Sequence, residues 1–458
     1  MNIINFRGGF SFSMKGGPDN SVTHANSSNK VALVPPRIPG FKAKVIVRVG
    51  DKISLGQVLF YNKKNNDLKF SSPASGIVSN IIYGNKRILQ SIEINVANKK
   101  NSSYIKFSHE NIDQLSKNKI VDNLINSGIF SKIKTYPGFD FIESKEKFLD
   151  DNKNLFISLF SSEPHIADIY NLFENKIYEK LFADGLIVCS KIFKTINIFN
   201  RQRDYPEEIN ECSNNLENVK LHTIENKYPA ENPGLQCLLT NSLNKSTMNT
   251  YVDAFVIIEI GHLFSKGFVI QERYLSISGS GVKNPTNFIV KAGQPIKNLL
   301  DDLVENLDSD YRLISGGLLT GKKIQTSDYL SDGDLSLQVV KEDRERTSLV
   351  FFRLGLNSLT MTRNWLSALF PKSEYDVSTN NNGEERACIQ CGYCYDVCPT
   401  GLMPSLLMKS AIINDIEKME YLSIDECIEC ELCTFICPSK IEMGQHIKNG
   451  KEFIKKEG

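Results

Sequence analysis

Between Ala32 and Ile94 apolar and polar residues alternate in short runs that end at glycine-bearing turns: Lys44-Val-Ile-Val-Arg-Val49 before Gly50-Asp51, Gly56-Gln-Val-Leu-Phe60, and Ser72-Pro-Ala-Ser-Gly-Ile-Val78. A period of two with β-branched residues and turn glycines predicts short strands in a compact all-β unit, placed within residues 1–103. From about 118 to 250 the pattern changes. Leu155-Phe-Ile-Ser-Leu-Phe160 and Gly185-Leu-Ile-Val-Cys189 are continuous apolar runs, read as buried strands, with polar helical segments between them. That alternation predicts a Rossmann-like α/β layer. A third unit, 253–342, opens on Ala254-Phe-Val-Ile-Ile-Glu-Ile260, read as a strand. It continues through Tyr274-Leu-Ser-Ile-Ser-Gly279, Ile289-Val290, a polar helix from Ile296 to Leu307 and Ile314-Ser-Gly-Gly317. Strand, strand, helix and strand predict a β-grasp-like unit. In 387–458, Leu406 to Met419 reads as one amphipathic helix and the Lys-rich tail after Ile447 as a solvated helix end. The predicted class is multidomain α+β, with a small α-helical unit last.

Cysteine changes the picture most. Eight of the eleven cysteines form two copies of one pattern, Cys388-x-x-Cys391-x-x-Cys394-x-x-x-Cys398-Pro399 and Cys427-x-x-Cys430-x-x-Cys433-x-x-x-Cys437-Pro438. Two-residue gaps let three thiolates close around one iron–sulfur cluster while the fourth, before proline, points to a second. The expected sets are therefore crossed. Cys388, Cys391 and Cys394 take Cys437, and Cys427, Cys430 and Cys433 take Cys398, giving two [4Fe–4S] clusters and a one-electron relay. Gly392 lets backbone amides approach the sulfurs. A zinc site would favour paired gaps with a longer spacer, and a disulfide framework belongs to small secreted domains. Cys189, Cys212 and Cys237 have no neighbour at ligand spacing and read as packing or surface thiols.

Charge and hydropathy exclude some classes. A formal charge of +1 does not fit a nucleic-acid binder or autonomous attachment to anionic lipid. No stretch reaches the roughly twenty uninterrupted apolar residues of a spanning helix. The richest, Leu349 to Phe370, carries Arg353, Arg363 and Asn364. No signal pattern stands at the N-terminus, and cluster-type cysteines place the chain in a reducing, cytoplasmic compartment. Asn380, Asn381 and Asn382 before Gly383 mark a joint. No Gly-x-Gly-x-x-Gly occurs in the α/β layer, so a dinucleotide is not expected there.

The first unit resembles the barrel-sandwich hybrid of biotinyl and lipoyl carriers. Lys63 and Lys64 occupy the carrier loop but lack the flanking residues a ligase recognises, and are read as solvated charges. The order of parts is similar to the NqrA family, the A component of the sodium-translocating NADH:quinone oxidoreductase. The matching residues are Val47-Arg-Val-Gly-Asp51, Gly56-Gln-Val-Leu-Phe60, Pro73-Ala-Ser-Gly76, Gly84-Asn-Lys-Arg87 with Leu89-Gln-Ser91, Val282-Lys-Asn-Pro285, Ile314-Ser-Gly316, Cys433-Thr-Phe-Ile-Cys-Pro438 and Lys456-Glu457-Gly458. Phe6-Arg-Gly-Gly9 and the intact cysteine motifs also resemble the C component of the Rnf electron-transport complex. That Rnf relative carries a Gly-Gly-Ala-Gly-Phe-Pro loop for flavin and nicotinamide, where this chain reads Asn126-Ser-Gly-Ile-Phe-Ser-Lys-Ile-Lys-Thr-Tyr-Pro137. Ile129, Phe130 and Lys132 would fill the space a pyrophosphate needs. A His-Pro-Ala-Gly string of the NqrA family is replaced by Tyr228-Pro-Ala-Glu231.

The resemblance implies an SLBB-like β-grasp unit, a ferredoxin-like dicluster unit and a peripheral subunit on the cytoplasmic face of the bacterial inner membrane. Such a protein would work with membrane partners to oxidise NADH, reduce ubiquinone and expel sodium, with flavins and NADH on the partner subunits. The expected role is on the quinone side. Quinone is expected near Lys134, Thr135, Tyr136 and Pro137, or at the border with the β-grasp unit. The alternatives are an Rnf-type electron-input subunit using NADH or ferredoxin with FMN, and a scaffold whose clusters are structural.

Overall fold

Short alternating strands fold into two facing sheets when their apolar sides must share one interior, and residues 30–96 do this. In the computed structural model, Lys30–Leu33, Leu89–Val96, Gly76–Tyr83 and Lys52–Ile53 form one sheet in that order. Ala43–Val45, Val58–Asn62 and Asn65–Ser71 form the other. Val31, Leu59, Phe60, Ile92 and Ile94 are fully buried between them. Lys63 and Lys64 form the exposed turn of the Val58–Asn62 and Asn65–Ser71 hairpin. The structure describes every residue except 1–2, 37, 39–40, 99–101, 108–111, 151, 241, 243–246, 306–310, 344–353, 357–365, 371, 378, 381–383 and 458. Arg353, Arg363, Asn364, and Asn381 to Gly383 of the expected joint lie outside the described residues.

The α/β layer is a seven-stranded sheet in the order Ile3–Ile4, Val219–Ile224, Thr195–Asn200, Lys153–Ser158, Met248–Asp253, Lys134–Tyr136 and Asp140–Phe141. The first five are mutually parallel, and the last two add an antiparallel hairpin. Leu155 and Ile157 are buried on the expected strand. Two other expectations are overturned. Gly185 to Cys189 is not a strand but the last part of a helix, Lys176–Ser190, and Ala254 to Ile260 begins a second helix, Ala254–Lys266, whose first turn is capped by Asp253 accepting from the Phe255 amide at 2.8 Å. Ala254–Lys266 buries most of its circumference, so its apolar run carries no clean 3.6-residue signature, whereas Lys176–Ser190 keeps a polar stripe at Lys176, Lys180 and Asp184 that its apolar end, Gly185 to Cys189, does not show alone. They cross at two glycines. A Cβ at Gly185 would lie 2.1 Å from the Ile257 carbonyl oxygen, and one at Gly261 1.8 Å from that of Leu181.

The third sheet runs Lys322–Ile324, Tyr311–Ser315, Ser336–Lys341, Glu272–Ser278, Thr286–Lys291 and Val22–His24. Glu272–Ser278, Thr286–Lys291 and Tyr311–Ser315 fall where strands were expected of the β-grasp unit, and Lys322–Ile324 and Ser336–Lys341 are additional. The helix expected over Ile296 to Leu307 spans only Ile296–Leu300 before turns begin. The N-terminal segment is shared: Ile3–Ile4 joins the α/β sheet and Val22–His24 the β-grasp sheet. The C-terminal unit has helices Tyr393–Val397, Pro404–Ile412, Ile416–Tyr421, Leu432–Ile436 and Met443–Glu457. The single helix expected over Leu406 to Met419 is broken, because Asn414 is left-handed (φ 55°) and Asp415 caps a new helix by accepting from the Lys418 amide. The tail is only partly solvated, since the Lys451 side chain is 8% exposed.

The glycine crossing gives a stability prediction. Gly261→Ala should destabilise the fold by about 2 kcal/mol or more, read from the denaturant midpoint, because backbone on the facing helix cannot give way. Gly333→Ala, where a Cβ meets nothing within 4 Å, should stay within about 0.5 kcal/mol of the parent.

Candidate functional site

The two cysteine motifs fold as copies of one loop. In each, the residues flanking the second cysteine are left-handed: Gln390 and Gly392 (φ 56° and 82°) in the first, Glu429 and Glu431 (φ 56° and 60°) in the second. This turns the chain around the sulfurs and then launches a short helix, Tyr393–Val397 or Leu432–Ile436. Each helix stops at an extended cysteine, Cys398 or Cys437, followed by proline. One hollow is lined by Cys388, Cys391, Cys394 and Cys437, and a second by Cys427, Cys430, Cys433 and Cys398. Among the described residues no three His, Cys, Asp or Glu side chains are grouped to hold one metal ion. The sulfurs stand around hollows, as the donors of a polynuclear cluster do.

Left-handed glutamates are costly, and the C-terminal helix holds both. Lys451 donates to the Cys427 carbonyl at 2.6 Å and pairs with Glu429 at 3.1 Å. Lys448 pairs with Glu431 at 2.7 Å, and Glu431 also accepts from the Thr434 hydroxyl. Gly444 leaves the room this requires, for a Cβ there would meet the Glu431 carboxylate at 2.0 Å.

Both loops dock on the α/β layer. Tyr228 donates its hydroxyl to the Cys430 carbonyl at 2.7 Å, and the Asn232 amide donates to the Ile428 carbonyl at 3.0 Å. The Gly9 amide donates to the Val397 carbonyl at 2.9 Å, and the Arg7 guanidinium stacks 4.3 Å from the Tyr395 ring centre. Gly8 is left-handed, and a Cβ on it would lie 2.6 Å from the Val397 oxygen. Phe10 and Phe12 pack on Phe435 at 5.6 and 5.0 Å. Sequence reasoning noticed Phe6-Arg-Gly-Gly9 but not this docking role.

The structure divides the four residues expected near quinone. Tyr136 is buried with its ring against Gly234, where Ile428 of the second cysteine loop also packs, and the two share one apolar cluster. Lys134 lies 3.2 Å over the Phe141 ring centre, and burial, opposed by Asp140, brings its ammonium down to about 7. Thr135 donates to the Asp140 carbonyl at 3.3 Å, and Pro137 is exposed. Ile129 and Phe130 are buried, and Lys132 pairs with Glu259 at 2.9 Å beside the Arg273–Glu259 pair. Cys189, Cys212 and Cys237 are buried packing residues.

A crevice of about 540 Å³ opens where the parallel strands Lys153–Ser158 and Met248–Asp253 end, facing Tyr274 and Gly316 to Gly321 of the β-grasp sheet. This border was among the expected places, but its carboxylates were not foreseen. Glu163 accepts from the Leu319 and Thr320 amides, each at 2.9 Å, and from the Thr320 hydroxyl at 2.8 Å. Glu231 accepts from the Glu163 amide at 3.0 Å and from the hydroxyls of Ser161 and Ser162. Burial is the main cause that pushes the Glu231 carboxyl up to about 7. The only advance signal was the departure Tyr228-Pro-Ala-Glu231.

Comparison with known proteins agrees with this division. Residues 4–97 match the model of the NqrA N-terminal barrel-sandwich hybrid domain, 115–269 the NqrA second alpha/beta domain, 274–326 the NQRA C-terminal domain, and 387–441 a 4Fe-4S dicluster domain. The A component of the Na(+)-translocating NADH-quinone reductase from Saccharophagus degradans is 30% identical over 100% of both chains. The chain belongs to this NqrA family. The corresponding protein of Haemophilus influenzae (strain PittEE) is 29% identical, again over the full length of both. Among solved structures, an NAD+-reducing [NiFe]-hydrogenase in the H2-reduced state overlays with TM-score 0.41 at 10% identity, covering 76% of this chain and 62% of that one.

The raised Glu231 pKa gives a signed prediction. A carboxyl whose folded pKa lies above its unfolded value contributes stability that is whole below about 4.5 and is lost as pH rises to about 7. Glu231→Gln, which does not ionise, should therefore gain thermal stability relative to the parent between pH 5 and pH 8. Unfolding scans at both values check this, and a pH-independent difference would refute it.

Proposed function

We propose that this chain is a peripheral, quinone-side subunit of a membrane-bound Na+-translocating NADH:quinone oxidoreductase and carries two [4Fe–4S] clusters. The observation that carries the reading is the sorting of eight cysteines into two crossed sets around separate hollows. Cys388, Cys391, Cys394 and Cys437 would hold one cluster, and Cys427, Cys430, Cys433 and Cys398 the other. Such clusters supply one-electron transfer when bound. The protein's part is to fix both loops against the α/β layer through Tyr228, Asn232 and Gly9, and to pack the second loop beside Tyr136. Quinone is assigned to this vicinity, from Lys134, Thr135, Tyr136 and Pro137 to the border with the β-grasp sheet. Among the described residues no helix is long and apolar enough to cross a membrane. Attachment to the cytoplasmic face of the inner membrane and the sodium path are therefore assigned to partner subunits, as are flavin and NADH.

Cluster content and quinone labelling test this. Anaerobic iron and sulfide analysis should give about eight of each per chain, and stoichiometric zinc would overturn the assignment. Cys398→Ser should alter the EPR signal of the cluster held by the downstream motif, while loss confined to the upstream cluster would show that the sets are not crossed. In the intact complex, photoaffinity quinone probes should label this subunit. Labelling of membrane partners alone would remove the quinone role. Micromolar binding of FMN and NADH to the chain alone would favour the Rnf-type reading.

A further inference from the structure

The crevice at the ends of Lys153–Ser158 and Met248–Asp253 has the size of a small-molecule site, and its chemistry is one-sided. Its apolar walls include Phe156, Phe160 and Phe255, which suit a flat ring. Its polar groups include the carboxylates of Glu231, Asp253 and Asp334. The single basic side chain among the described lining residues is the exposed Lys322. The side-chain donors beside the two glutamates are already engaged: the Ser161 and Ser162 hydroxyls on Glu231, the Thr320 hydroxyl on Glu163, and the Gln236 amide on the Ser158 hydroxyl and the Ala230 carbonyl. A ligand that only accepts hydrogen bonds, such as an oxidised quinone, would meet oxygen with oxygen when Glu231 is ionised. A ligand that donates would find free lone pairs, because each carboxylate oxygen accepts more than one bond.

We propose that this crevice binds a flat aromatic ring bearing hydroxyl donors, of the hydroquinone class, with Glu231 as the principal acceptor. The proposal deepens the quinone-side reading and rests on it for the biological identity of the ring, whereas the pocket chemistry stands on the residues themselves. It makes this border a site for the reduced form of the carrier. Glu231 is well placed for this, since it remains partly accessible from the crevice while its loop is anchored three residues earlier by the Tyr228 hydroxyl on the second cysteine loop. Asp253 offers a second acceptor, with one oxygen engaged by the Phe255 amide.

The test uses the purified full chain at pH 8 and three probes of equal ring size: 1,5-dihydroxynaphthalene, its dimethyl ether and 1,4-naphthoquinone. Calorimetry should show the dihydroxy probe binding at least about tenfold more tightly than the other two, the scale of one charge-assisted hydrogen bond. Glu231→Gln should abolish that preference. As a check without substitution, the dihydroxy probe should protect Glu231 of the parent chain from a carboxyl-reactive carbodiimide, read by peptide mass spectrometry. Equal affinity for ether and dihydroxy probe, or unprotected Glu231 at saturating probe, would overturn the proposal. The preference for the dihydroxy probe, found in a chain that quinone photoprobes do not label within the complex, would uphold the pocket while removing the quinone-side reading.

Discussion

The second cysteine loop is held against the α/β layer by backbone, and the rest of the site depends on that seam. The Tyr228 hydroxyl reaches the carbonyl of a cysteine, the Asn232 amide reaches the carbonyl two residues before it, and Gly234 lets Ile428 and the Tyr136 ring approach. A hydrogen bond to a main-chain carbonyl fixes the loop without engaging sulfur, leaving the thiols free for a cluster. The first loop is held in the same manner by Gly8 and Gly9. The positions of both cysteine sets relative to the crevice follow from contacts no longer than a few ångströms.

What was legible in the sequence was what is local. Cysteine spacing within each motif is a local signal; the crossed sets join cysteines of different motifs, and the two hollows are each lined by three cysteines of one motif and the last of the other. The alternating strands of residues 30–96 and the buried strand at Leu155 were equally local signals. Within Lys176–Ser190 the run Gly185 to Cys189 shows only the apolar end of an amphipathic helix, and Ala254–Lys266 is buried nearly all round. Once a helix is apolar nearly all round, periodicity is erased, and length with flanking caps is the remaining evidence. Asp253 as an N-cap was that evidence. The crevice was harder still, since Glu163 and Glu231 stand on different loops and meet only when the ends of the parallel strands are brought together.

In the segment Asn126 to Pro137 this chain has put side chains to structural use. Phe130 is fully buried against Phe148, and Lys132 joins Glu259, Arg273 and Asp332 in a charge network between the α/β layer and the β-grasp sheet. Burying the Arg273–Glu259 pair is tolerable only because its partners are near, and removing one would strand the others. The same segment therefore acts as a girder between two units.

The N-terminal segment also shapes how the molecule comes into being. Its first described strand pairs with Val219–Ile224, its glycines close on residues 397 and 398, and Val22–His24 pairs with Thr286–Lys291. A ribosome delivers these N-terminal residues first, yet their partners emerge hundreds of residues later. Its pairing with Val219–Ile224 can form first, that with Thr286–Lys291 next and its glycine contacts with residues 397 and 398 later still, and all are of the long-range kind that slow folding. This segment is thus stitched in by stages, and a chain cut short before the cysteine motifs would leave its glycine contacts untied.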